Sequence, residues 1–118
     1  MVESRRTRSM LLDFYGELLT DKQRECFDLH YNEDLSLSEI AEQLGISRQG
    51  VWDNIRRAES AMAEVERKTG LLRRFEENRS ALEDLRGGLE RLAAMSVGEA
   101  KCLALQLEEE VTELIARG

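Results

Sequence analysis

Apolar residues return at helical spacing along almost the whole chain, and polar residues interrupt them at readable places. Met10, Leu11, Phe14, Leu18 and Leu19 form a stripe that predicts a first helix over residues 5–18. Thr20-Asp21-Lys22-Gln23 follows in the form of a capping box, in which the threonine hydroxyl accepts an amide N–H and the glutamine reaches back. A second helix then runs to about Tyr31, burying Cys26, Phe27 and either Leu29 or His30, and Asn32-Glu33-Asp34 ends it. Ser36-Leu37-Ser38-Glu39 repeats the capping signature ahead of a short helix in which Leu37, Ile40, Ala41 and Leu44 share a face. Gly45 suits the left-handed residue that closes a helix, Ile46 is a lone apolar plug, and Ser47 caps the next start.

From Ser47 the periodicity persists through Val51, Ile55, Ala58, Met62 and Val65, then through Leu72, Phe75, Leu82, Leu85, Leu89 and Leu92. Gly70 weakens this stretch without having to end it, since a mid-helix glycine costs about 1 kcal/mol. Gly87-Gly88 is its expected break. Ser96-Val97-Gly98-Glu99 offers a third capping box, followed by a last helix carrying Ala100, Leu103, Ala104, Leu107, Val111, Leu114 and Ile115. The chain has no proline and no stretch that alternates apolar and polar residues as a strand would. The expected fold is all-α. It consists of a helix-turn-helix head over residues 1–58, whose long recognition helix continues into a C-terminal helical hairpin or coiled-coil arm over residues 59–118. Two striped helices joined by a short turn fold back on each other or pair with a second copy, so a homodimer through the C-terminal helices is expected.

The stretch Leu37–Arg57, LSEIAEQLGISRQGVWDNIRR, carries the functional signal. Ala41 is small where two helices cross closely, Gly45 permits the tight turn, Ile46 fills the hollow, and Val51 and Ile55 hold the second helix on the first. That arrangement turns Ser47, Arg48, Gln49, Trp52, Asp53, Arg56 and Arg57 outward as candidate nucleic-acid-binding residues. Arg48 and Gln49 suit guanine and adenine edges, and Arg56 and Arg57 suit phosphate. Trp52 fits a sugar, a base or a protein partner. The alternative is a helix-turn-helix that serves only as packing scaffold. Asp53, amid the supposed phosphate-facing surface, weighs on that side.

Charge also weighs there. The 118 residues hold 17 basic and 24 acidic side chains, a net charge of −7. Divided at residue 60, the two parts carry −4 and −3 (8 basic against 12 acidic, then 9 against 12), so neither is a basic arm of the kind that grips phosphates. The opening MVESRRTRSMLLDFYGELL lacks a sustained apolar core, so no signal peptide is expected, and no run approaches a membrane span. A soluble, cytoplasmic protein is expected, with no membrane insertion. Cys26 and Cys102 are expected to be reduced and packed as small hydrophobes. Cys26 and His30 stand four apart, but a single histidine and one distant further cysteine leave no closed metal site, and no metal or other cofactor is expected. Without a nucleophile motif or a glycine-rich phosphate loop there is no basis for an enzyme. Glu76-Glu77, Glu83-Asp84 and Glu108-Glu109-Glu110 read as solvated helix faces. The Arg5-Arg6-Arg8 cluster reads as a disordered, solvated start, with phosphate contact as the alternative.

Residues 14–57 resemble the YlxM family of bacterial helix-turn-helix proteins and, more distantly, region four of sigma factors. The resemblance is carried by FY followed by LLTDKQ, then LHYNEDLSLSEIAEQLGISRQ and the ending VWDNIRR. The acidic, leucine-rich remainder is similar in layout. The resemblance implies a sigma-like helix-turn-helix fold and a regulatory role linked to the signal recognition particle pathway. Gly50 stands where the family usually has alanine, and Trp52 where it usually has tyrosine. Two functions stay open at this point. One is a regulator that binds DNA, with the arm as its dimer contact. The other is an interaction protein of the signal recognition particle, through its RNA or its GTPase, whose helix-turn-helix does not read DNA.

Overall fold

A computed structural model describes residues 4–118, and among them six α-helices and no strand. The first residues of the expected head, 1–3, lie outside that range. The helices are α1 (Arg5–Tyr15), α2 (Asp21–Tyr31), α3 (Leu37–Leu44), α4 (Arg48–Thr69), α5 (Leu71–Met95) and α6 (Gly98–Arg117), with one 3₁₀ turn at Gly16–Leu18. The chain divides into two compact units, one reaching to Leu72 and the other spanning Arg73–Gly118.

In the first unit α4 is the hub, packed by α1, α2 and α3. Its Val51, Ile55, Ala58 and Met62 follow one another at intervals of four, three and four residues, and all four are buried. They meet Leu11 and Tyr15 of α1, Cys26 and Phe27 of α2, and Ile40 of α3 in a single core. Fully burying a Phe, Leu, Ile or Met contributes about 1.5–3 kcal/mol each, so this cluster is what holds the four helices together. Burial also pushes the Cys26 thiol up from its ordinary pKa.

Local chemistry sets the helix ends. The capping boxes expected at Thr20–Gln23 and Ser36–Glu39 both form. Gln23 N–H donates to Thr20 Oγ1 at 3.1 Å, and Glu39 N–H donates to Ser36 Oγ at 3.1 Å while Ser36 N–H returns to Glu39 Oε1 at 2.8 Å. Those bonds hold the Glu39 carboxyl below the usual carboxylate range.

Several expectations are corrected. The first helix ends at Tyr15, not 18, and the buried face is Leu11, Tyr15 and Leu19, whereas Phe14 and Leu18 are exposed. The 3₁₀ turn tightens the chain there and rotates the last residues away from a straight α-helical register. Arg5 and Arg8 are not a disordered start, although Arg5 is exposed to solvent. Arg5 pairs with Asp34 and donates from Nε to the Tyr31 carbonyl oxygen at 2.9 Å. Arg8 Nε reaches Glu59 Oε2 at 2.9 Å, and its guanidinium lies 4.7 Å from the centre of the Tyr31 ring. Both residues therefore tie α1 to the rest of the unit.

Gly70 does end α4. It adopts φ 63°, and its N–H donates to Glu66 O at 2.8 Å. A small polar node rewards the bend: Tyr15 Oη donates to Glu66 Oε1 at 2.6 Å and accepts from Thr69 at 2.9 Å, while Leu72 N–H donates to the same Glu66 oxygen at 3.0 Å. Burial, and then the neighbouring carboxylate, raise the pKa of Tyr15.

In the second unit α5 and α6 form an antiparallel hairpin, with Phe75 near the start of α5 beside Gly118 at the end of α6. A cleft of about 200 Å³ opens at that end between Phe75, Asn78 and Arg79 on one helix and Leu114 and Ile115 on the other. Gly87 and Gly88 do not break α5. Strong helix formers flank them on both sides, and no side-chain or cap interaction of the kind seen at Gly70 rewards a bend. The capping box expected at Ser96–Glu99 does not form either. Ser96 N–H turns back toward Ala93 O at 3.4 Å, which leaves extended Val97, with no side-chain cap, ahead of α6. Cys102 is exposed on α6 and not packed, and both cysteines are free thiols. No helix among the described residues is long and apolar enough to cross a membrane.

Candidate nucleic-acid interface

A short helix, α3, a three-residue turn and the start of the long α4 set up the candidate surface. Gly45 closes α3 in the left-handed conformation, φ 70° and ψ 33°, and both its N–H and that of Ile46 return to Ala41 O at 2.9 and 3.1 Å. Ile46 packs half-buried against the core. Ser47 then caps α4, its hydroxyl accepting from Gly50 N–H at 2.9 Å. This is the helix-turn-helix expected from Leu37–Arg57, with α4 as its second helix.

Because an α-helix turns by about 100° per residue, burying Val51, Ile55, Ala58 and Met62 sends Gln49, Asp53, Arg56 and Ser60 to the opposite side. Arg48, Gln49, Arg56 and Arg57 are exposed, Trp52 retains 40% of its surface, and Asp53 is half-buried. The seven expected residues therefore occupy the first three turns of α4 and its cap. They do not play equivalent parts. The Ser47 hydroxyl is spent on the cap, Gln49 and Asp53 are bonded to each other (Nε2 to Oδ1, 3.0 Å), and Arg48, Gln49 and Trp52 border a shallow cleft with Leu37 of α3. A second shallow cleft is bordered by Asp53, Arg56, Arg57 and Ser60.

The arginines divide by position along α4. Toward its C-terminus, Arg67 and Lys68 share Glu64, whose carboxyl is held below the usual range chiefly by Arg67. Arg48, Arg56 and Arg57 have no ion pair or hydrogen bond among the described residues, and Glu59, the next carboxylate along α4, is occupied by Arg8. An acidic chain thus presents three cations, uncommitted within the fold, on the N-terminal half of this helix. That local segregation is what the net charge of −7 conceals.

Sequence comparison agrees with this geometry. The family described as "Putative helix-turn-helix protein, YlxM / p13 like" matches residues 2–97. The chain belongs to this YlxM / p13-like family. It is similar to a UPF0122 protein of Acetivibrio thermocellus, 46% identical over 109 residues that cover 91% of this chain and 92% of the relative. A UPF0122 protein of Geobacillus kaustophilus is 43% identical over 109 residues, 92% of this chain and 98% of its own length. One of Thermoanaerobacter sp. strain X514 is 51% identical over 82 residues, covering 70% of each chain. The family match includes the whole helix-turn-helix and α5, and stops just short of α6.

Cys26 and His30, four apart on α2, are both engaged within the fold. Cys26 is sealed in the core, and His30 Nδ1 lies 2.8 Å from the Leu35 carbonyl oxygen, a partner that requires a proton on that nitrogen. What the sequence pattern missed is the Gln49–Asp53 bond and the commitment of Glu59 to Arg8. The first is visible as an i, i+4 pair of suitable types. The second joins residues 51 positions apart and leaves no local trace.

Proposed function

We propose that this YlxM / p13-like chain is a regulatory protein that binds nucleic acid rather than a catalyst, and that it reads duplex DNA with the outer face of α4. The single observation that supports this reading is the set of uncommitted, exposed cations Arg48, Arg56 and Arg57 on the N-terminal half of the second helix of a helix-turn-helix. In such a module the first turn of that helix meets base edges in the major groove, and flanking basic groups meet phosphates. Arg48 then takes a guanine edge, Gln49 an adenine edge, and Arg56 and Arg57 take phosphates. Trp52 packs against sugar or base, Ser47 holds the helix start, and Asp53 lies within the contacted surface. The head is the DNA-reading unit, and the arm supplies the contact between two copies.

The test is titration of duplex DNA at several salt concentrations. Arg48→Ala is expected to cost roughly 5- to 150-fold in affinity for the preferred sequence, the size of one bidentate base contact. Arg56→Ala is expected to weaken binding to every sequence and to reduce the slope of log K against log salt by about 1. A double variant that binds like the parent sinks this use of α4.

A second reading rests on the arm. Leu92, Leu103, Leu105 and Leu107 are exposed, and α6 carries Glu108-Glu109-Glu110 and Glu113. Such a surface fits a partner with an apolar groove and a basic rim, and the family resemblance directs that reading to the signal recognition particle, its GTPase first and its RNA second. Titration of the full chain against each purified component separates the two. Binding that survives Arg48→Ala/Arg56→Ala but is lost on Leu103→Glu favours the arm.

A further inference from the structure

Asp53 is an unexpected group on a surface offered to phosphates, and its partner gives it a use. Gln49 Nε2 donates to Asp53 Oδ1 at 3.0 Å, one helical turn along α4. An ionised carboxylate only accepts, so the amide nitrogen of Gln49, and not its oxygen, must face Asp53. One N–H is thereby used. The other N–H and Oε1 have no further partner among the described residues and stand at the exposed end of the side chain. A free amide donor beside a free amide acceptor is the pair that matches N7 and N6 of adenine in the major groove. Without Asp53 the carboxamide is free to turn over and present the opposite order. The carboxylate itself is half-buried and borders the same cleft as Arg56 and Arg57, which offsets its repulsion toward a nearby phosphate.

We propose that Asp53 is a positioning residue that locks the Gln49 carboxamide in the orientation that reads adenine, so that one position of the target site is specified as adenine. The inference rests on the reading of α4 as the DNA-facing helix and deepens it. Its structural rival is a surface pair that steadies the helix and nothing more. Such a pair moves thermal stability but not base preference, so base preference is the readout.

The experiment selects sites from a randomised duplex pool with the full chain. It then measures Kd for the best site and its single-base variants with the parent, Gln49→Ala and Asp53→Asn. The parent is expected to prefer adenine at one position by roughly 5- to 150-fold. Gln49→Ala abolishes that preference. Asp53→Asn, whose amide can face Gln49 with either a donor or an acceptor, reduces it to a few-fold at the same position. If Asp53→Asn keeps the full preference that Gln49→Ala loses, Asp53 does not position Gln49 and the proposal is overturned, with the DNA-reading function intact. An equal rise in affinity at every site, with no change in preference, overturns it in favour of simple charge repulsion. If the parent selects no site at all, the DNA-reading function falls and takes this inference with it.

Discussion

The head and the arm bury different kinds of residue. The head here is the first unit, which reaches to Leu72, and the arm is the second. In the head, Leu11, Phe27, Ile40, Ile55 and Met62 are enclosed, because helices approach α4 from several sides. In the arm the buried positions are Ala93, Ala104, Val111 and Ile115, while Leu85, Leu92, Leu103, Leu105 and Leu107 face solvent. A two-helix hairpin has one interface and cannot enclose large side chains that point both ways. Similar hydrophobic periodicity therefore builds a core in one unit and an uncovered surface in the other, and the number of neighbouring helices makes the difference.

The largest effect that probes this contrast is truncation of the core. Phe27→Ala is expected to destabilise the head by about 3–5 kcal/mol, read by urea unfolding through the fluorescence of Trp52, the single tryptophan. Leu103→Ala in the arm is expected to cost less than about 0.5 kcal/mol in dilute monomer. A much larger cost at Leu103, growing with protein concentration, would show that a second copy covers it.

Glycines sharpen the contrast on a smaller scale. Gly45 has open space around it but sits at φ 70°, so Gly45→Ala is expected to cost about 1–2 kcal/mol through backbone strain alone. Gly88 is helical, and an added methyl would meet only the far end of Arg91 at 4.0 Å. Gly88→Ala is therefore expected to gain about 0.5–1 kcal/mol. Thermal unfolding checks both, and a loss at Gly88 would mean that α5 bends there.

The smallest expected effect is acid sensitivity of the head. Ser36 holds Glu39, and Arg5 holds Asp34, below their ordinary carboxyl pKa values. A depressed folded pKa gives stability that is present above the unfolded value near 4 and is lost as pH falls through the folded value. The urea midpoint should decline between pH 5 and about pH 3, and Glu39→Gln, which keeps a capping side chain without the charge, should flatten part of that decline. An unchanged profile would remove Glu39 from the account.

Features settled within four or five residues were legible in the sequence. Thr20–Gln23, Ser36–Glu39 and the Gly45-Ile46-Ser47 turn are such features, because hydroxyl, carboxylate and glycine chemistry act on the adjacent backbone. The outward side of α4 was legible too, since the buried residues at 51, 55, 58 and 62 leave the other side no choice. The fates of Gly70 and Gly88 were not. What separates them is Tyr15, which reaches Glu66 and Thr69 from another helix and rewards a bend at only one of them. Arg5 and Arg8 were misread for the same reason, since their partners lie 29 and 51 residues away. Ser96 failed as a cap because the tight connection between α5 and α6 turned its amide back to close the preceding helix.

The placement of the two thiols gives each unit its own chemical clock. Only a thiolate that a reagent can reach is alkylated. Cys102, exposed on α6, is therefore open to a maleimide while the chain stays folded. Cys26, sealed beneath Phe27 and α4 with its proton held more tightly, waits for the head to open. The ratio of the two rates, taken in a single tube by mass, converts into the free energy of that opening. The native chain thus carries both a slow reporter and its internal standard.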